Sequence, residues 1–276
     1  MRTLAQTGTV LDRIVAQTRV DLEDRKRHVS RDELQAQFSC QPDPIDLRAA
    51  LDQDTVTVIA EIKRASPSKG RFPTEIEPAQ VATAYAEGGA AAISCLTDEP
   101  FFQGSLRDLT DVTGVTNNLP APIGVLRKDF MIDPYQVDEA RAYGASGILL
   151  IVACLSDRLL RELYDYAMSL GMSVLVEVHD REELDRALAV RPGMVGINNR
   201  NLRTLAVDLQ VTTMLAPLIP TGVVLVGESG IVTRVHVEAM ADVGVDAVLV
   251  GESLIVQEDR AGAVRALTGV RKTRRA

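Results

Sequence analysis

Residues 242–250 read DVGVDAVLV, the polar tail of a helical pattern, a glycine, and then a run of branched apolar residues. Gly244 stands where a helix can close on a left-handed residue, and the run after it has the length and β-branching of a strand. The same pattern recurs as AEGGAAAI at 86–93, RAYGASGILL at 141–150 and SLGMSVLV at 169–176. Each is a helix stopped by glycine and followed at once by a buried strand. Further outward, strand-like runs fall near residues 56–62, 91–96, 122–127, 147–153, 173–178, 194–198, 223–228 and 247–250, eight in all. Helix-start signals lie between them: Asp133 before Pro134, Asp180 with Glu183 as a capping-box-like pair, and Thr233 ahead of Val237, Met240 and Ala241. Strands that barely alternate suit a parallel sheet covered on both faces. Eight βα units therefore predict an α/β protein with a single (βα)8 TIM barrel, a doubly wound sheet being the alternative.

Residues 1–50 precede the first strand, and VLDRIVAQTRVDLEDRKRHV at 10–29 carries helical periodicity with many charges. This predicts an N-terminal helical extension, 1–50, lying across one end of a barrel formed by 51–276. No Pro/Gly/Ser-rich linker separates them, so one structural domain is expected overall.

Of the 276 residues 46% are apolar, 25% charged and 4% aromatic, which excludes a disordered or collagen-like chain. The net charge of −8 argues against nucleic acid or an anionic membrane as partner. The longest uncharged apolar run, residues 145–155, falls short of the roughly 18 residues that span a bilayer. Asp12 and Arg13 interrupt the N-terminal region, so no signal peptide is expected. Cys40, Cys95 and Cys154 are unclustered and read as thiols of a reduced, cytoplasmic protein. No two of His28, His179 and His236 have metal-ligand spacing, so neither a metal nor a metal-dependent hydrolase is expected.

Barrel chemistry sits at the C-terminal ends of the strands. There the sequence places Glu61 and Lys63, two apart and so on one face of their strand, then Lys128, Glu177, Asn198 with Arg200, and Glu228 with Ser229, echoed one unit later by Glu252 and Ser253. Such residues could simply pair to satisfy the interior. Burying charge costs several kcal/mol per ion, however, so a stability-only interior would do as well with apolar residues. Gly227, Gly230 and Gly251 suit a phosphate held by backbone N–H groups, although tight turns need glycine anyway.

The motifs AEIKRASPSKG (60–70), SCLTDEPFFQGS (94–105), LRKDF (126–130), EVHD (177–180), GINNRNL (196–202) and VGESGI (226–231) closely resemble those of indole-3-glycerol phosphate synthases, in order and spacing. The resemblance spans roughly residues 10–257 and implies a lyase of tryptophan biosynthesis, with no cofactor and no room in this length for a fused second barrel. Such enzymes close the ring of 1-(2-carboxyphenylamino)-1-deoxyribulose 5-phosphate with loss of carbon dioxide and water. By resemblance Lys128 is the acid at the ribulose C2′ carbonyl, Glu177 the base and Glu61 with Lys63 the assisting acid pair, while Asn198 and Glu228 orient the others. Ser66, Arg200, Ser229, Gly230, Gly251 and Glu252 fall on the substrate and phosphate side, and Pro67, Phe102, Phe130 and Leu202 on the anthranilate side. Lys63 and Arg200 could equally meet the substrate's carboxylate or its phosphate. Glu252 departs from members with serine there, so its backbone N–H must serve the phosphate while its side chain turns away. Ile255, where methionine is common, is an apolar exchange. A bulky residue at Gly251 is expected to raise KM more than it lowers kcat. A phosphorylated small molecule is the implied partner, acted on by a monomer or weak homo-oligomer. A Schiff-base aldolase and a non-catalytic phospho-sugar binder are the competing readings, because a strand-end lysine beside a phosphate site serves the first as well.

Overall fold

The computed structural model describes residues 4–5 and 7–275. Eight parallel strands close on themselves: β1 (Thr55–Ile62), β2 (Ala92–Leu96), β3 (Gly124–Lys128), β4 (Gly147–Ile151), β5 (Ser173–Val178), β6 (Met194–Asn198), β7 (Val224–Glu228) and β8 (Ala247–Val250). Each pairs with the next, and β8 returns to β1 in the register Thr57–Ala247 to Ala60–Val250. The barrel is therefore closed, and each strand begins and ends within two residues of its expected position. The four glycines that separate helix from strand, Gly89, Gly144, Gly171 and Gly244, all have φ between +73° and +91°, the left-handed turn that makes the repeat.

Two of the helix-start signals act differently from expectation. The Asp180 side chain accepts the Glu183 N–H, but the Glu183 carboxylate goes to the His179 N–H and ring instead of closing a capping box. Thr233 makes no side-chain cap to its helix, Arg234–Asp242; His236 Nδ1 accepts the Val232 N–H there instead.

The N-terminal extension does more than cover one end. Helix Val10–His28 sends Val10, Leu11 and Ile14 to the C-terminal mouth of the barrel. Helix Arg31–Ala36 runs down the side, where Arg31 pairs with the buried Asp138. Helix Leu47–Leu51 then plugs the opposite end: the Leu47 side chain occupies the space that a Cβ on Gly124 or Gly147 would need, and its N–H donates to Ser173. Leu11, Val15, Leu22, Leu34, Leu47 and Leu51 belong to the same continuous apolar core as the strands.

Arg127 is wholly buried on the outer face of β3. Its guanidinium donates to Thr97 (3.0 Å), the Gln136 carbonyl (2.8 Å), Glu139 (3.1 Å) and Asp129 (2.7 Å), while Arg25 of the first helix reaches Glu139 at 2.8 Å. The strand residue next to Lys128 is thus fixed to helix Pro134–Ala142 and to the extension. Arg127→Met is expected to destabilise the fold by about 3–5 kcal/mol, because it takes the buried cation from Asp129 and leaves Glu139 with Arg25 alone. Chemical denaturation measures this, and a loss below about 1 kcal/mol would show that the network is dispensable.

Candidate active site

A cavity of about 610 Å³ opens at the C-terminal mouth. Its apolar floor consists of residues in phase with the barrel interior, Leu96, Leu149, Ile151 and Leu249, and its wall includes Val10, Leu11 and Ile14 of the first helix. Glu61, Lys63, Lys128, Glu177, Asn198 and Glu228 all line it.

Lys128 is the hub. Its Nζ lies 3.3 Å from Glu177 Oε2 and 3.4 Å from Glu228 Oε2. Burial works against the ammonium, but Glu177, Glu228 and Glu61 outweigh it and hold Lys128 above the ordinary lysine range. The two carboxylates divide unequally. Burial raises Glu177, yet Lys128, His179 and Asn198, whose Nδ2 donates to Glu177 Oε1 at 3.1 Å, pull it well below the usual carboxylate range. Glu228, buried and facing the Glu177 charge, is pushed up to about 8. Among the described residues, neither oxygen of Glu228 has a hydrogen-bond donor. A second pair stands across the cavity, with Lys63 Nζ donating to Glu61 Oε1 at 2.6 Å.

The periphery sorts itself around these charges. The Phe102 and Phe130 rings pack with centroids 6.0 Å apart, and Pro67 and Leu202 join them on the cavity wall. Arg200 also lines the cavity, its Nη1 bound to the Leu205 carbonyl at 3.0 Å. Ser66 is half-buried in the loop after β1, and its Oγ lies 3.5 Å from that of Ser68. On the far wall Ser229 and Gly230 both adopt positive φ, +63° and +82°; for a serine this is uncommon backbone strain, placed at the cavity edge. Gly251 opens the short helix Glu252–Ile255, which has no side-chain cap; the Gly251 carbonyl accepts the Leu254 and Ile255 N–H groups. The Glu252 carboxylate lies 3.6 Å from Lys69, which also lines the cavity.

The sequence model of the family described as indole-3-glycerol phosphate synthase matches residues 11–267. The chain belongs to the indole-3-glycerol phosphate synthase family. It is 47% identical over 265 residues to the indole-3-glycerol phosphate synthase of Roseiflexus castenholzii, covering 95% of this chain and 98% of that one. To the Dehalococcoides mccartyi (strain CBDB1) synthase it is 47% identical over 261 residues, covering 94% and 99%. Among solved structures, thiamine phosphate pyrophosphorylase from Pyrococcus furiosus shares the fold, with a TM-score of 0.58 and 18% identity over 80% of this chain and 96% of that one.

Within an indole-3-glycerol phosphate synthase, every site residue that the resemblance singled out falls on this one cavity, whereas Gly227, also read as a phosphate glycine, does not line it and faces Met240 and Ile231. Two features were not anticipated. His179, inside the EVHD motif, sits behind Glu177 with its Nε2 3.4 Å from Glu177 Oε1, an ion-pair distance without good hydrogen-bond alignment. The only sequence signal was a histidine two residues beyond an inward glutamate. Gly251, read as a phosphate position, also backs onto the second pair: a Cβ there would stand 2.4 Å from Glu61 Oε1 and 3.0 Å from Lys63 Nζ, so these side-chain ends would have to move. This alters the expectation of a KM effect. Gly251→Ala should displace the Glu61–Lys63 pair and lower kcat, by roughly 10²-fold if the shift approaches 1 Å. Steady-state kinetics decide the matter, since a pure KM increase would mean that the pair yields without cost.

Proposed function

We propose that this barrel converts 1-(2-carboxyphenylamino)-1-deoxyribulose 5-phosphate to indole-3-glycerol phosphate, carbon dioxide and water by general acid/base catalysis from its own side chains. The observation that carries this reading is the Lys128 ammonium held between Glu177 and Glu228 above an apolar floor, with a second ammonium–carboxylate pair opposite. Lys128 protonates the C2′ carbonyl oxygen as the aromatic carbon bearing the carboxylate attacks C2′. Loss of carbon dioxide returns the bonding electrons to the cationic ring and restores aromaticity. The Glu61–Lys63 pair then protonates the departing C2′ hydroxyl, and Glu177 removes a proton from C1′ to complete the indole. Asn198 orients Glu177, and Glu228 faces the ribulose hydroxyls. The phosphate lies by Ser66, Ser229, Gly230, Gly251 and the Glu252 N–H, with Lys63 or Arg200 supplying charge. The anthranilate ring lies against Pro67, Phe102, Phe130 and Leu202.

An aldolase would need Lys128 as a neutral amine, whereas the Glu177 and Glu61 carboxylates favour its protonated form. Among the described residues no group of three or more His, Cys, Asp or Glu could hold a metal ion, and no helix is long and apolar enough to cross a membrane. The three free thiols suit the reducing cytoplasm. Incubating the purified protein with the carboxyphenylamino substrate in EDTA should give indole absorbance and carbon dioxide in equal amounts. A lysine adduct trapped by borohydride, or turnover that needs an added divalent ion, would contradict the proposal.

A further inference from the structure

His179 has no part in the chemistry assigned above, yet it is nearly buried, held by Glu183 on one side and facing Glu177 on the other. Its Nδ1 lies 2.9 Å from Glu183 Oε2, and the same oxygen accepts the His179 backbone N–H at 2.8 Å. Its Nε2 faces Glu177 Oε1, the oxygen that also accepts Asn198, while Glu177 Oε2 is turned to Lys128. The base is therefore gripped at one oxygen and presents the other to the cavity. Glu228 accepts no hydrogen bond among the described residues and faces the Lys128 ammonium at 3.4 Å.

We propose that His179, clamped by Glu183, is a positioning residue that makes Glu177 the ionised member of the Glu177–Glu228 pair, so that Glu177 acts as base and Glu228 keeps its proton. This rests on the assignment of Glu177 as base. The charges around the pair agree. Burial disfavours a histidinium, but Glu177 and Glu183 raise His179 to about 10, so it is cationic through neutral pH. The thiol of Cys154, pushed up to about 12 by burial and by these same carboxylates, adds no charge there, and the nearby Arg186 is engaged by Asp157. Lys128 on β3, Asn198 on β6, Glu228 on β7 and Glu61 on β1 complete the set that faces the two carboxyl groups. Removing the imidazolium leaves Glu177 with Lys128 and Asn198 alone, and Glu177 then titrates higher than in the wild type.

The test is the pH dependence of kcat for wild type, His179→Asn, Glu183→Gln and Glu177→Gln between pH 5.5 and 8.5, each variant divided by wild type at the same pH so that titration of the substrate phosphate cancels. Both His179→Asn and Glu183→Gln should gain an acid limb, falling about tenfold per pH unit below it, with recovery toward pH 8.5 and KM within about threefold. If His179→Asn folds poorly, Glu183→Gln carries the same test with a smaller displacement. Folded variants that lose turnover by one constant factor at every pH, or lose none, while Glu177→Gln is inactive, would overturn the role of His179. Turnover retained by Glu177→Gln would remove the base assignment itself.

Discussion

Lys128→Ala is expected to lower kcat by about 10³-fold or more and to leave KM within a few-fold of wild type. The lysine combines two functions that a substitution removes together: it donates the proton to the ribulose carbonyl, and its ammonium lies 3.3 Å from Glu177 and 3.4 Å from Glu228, holding the pair in place. Most of its interaction forms with the developing alkoxide, so the loss falls on turnover more than on binding. The substitution also leaves two buried carboxyl groups without their cation. A parallel denaturation curve separates that destabilisation from catalysis. A folded variant with near-normal kcat would remove Lys128 from the mechanism.

The second large effect is expected at Glu177→Gln, which keeps the shape of the side chain and its contact with Asn198 but removes the base. A fall in kcat of about 10²–10⁴-fold with little change in KM follows from the loss of general-base catalysis. The pH dependence gives a second check. Glu177 is held below the ordinary carboxylate range, so in wild type it is ionised throughout the working range, and the acid side of the profile should carry no limb from it. A wild-type acid limb near the ordinary glutamate value, absent from Glu177→Gln, would show that Lys128, His179 and Asn198 do not depress it.

Much of this was legible in the sequence because the deciding features are local. Glycine after a helix sets the repeat by its own backbone freedom, as Gly144 and Gly244 show, and the two-residue period of a strand put Glu61 and Lys63 on one face without any knowledge of neighbours. What escaped depends on contacts between elements distant in the chain. The need for glycine at Gly196 comes from the Glu228 carboxylate of the next strand, whose Oε1 a Cβ would meet at 2.0 Å. Arg127 sits in plain view inside LRKDF, but its partners come from Thr97 just after β2, helix Pro134–Ala142 and the residues following β3. Residues 180–183 have the local pattern of a capping box, and only the position of His179 shows why Glu183 was drawn elsewhere. The extension has helical periodicity at 10–29, yet no local feature says that Leu47 will plug the far end of the barrel.

The central claim is that Lys128 and Glu177 serve opposite ends of one reaction sequence in one cavity. Single-turnover kinetics on substrate labelled in the carboxylate measure both ends at once, with label released as carbon dioxide reporting ring closure and indole absorbance reporting dehydration. The expected result is that Glu177→Gln releases carbon dioxide at close to the wild-type rate while indole absorbance lags far behind, and that Lys128→Ala is slow in both. Carbon dioxide and indole slowed equally in Glu177→Gln, or label released at the wild-type rate by Lys128→Ala, would contradict this division of roles.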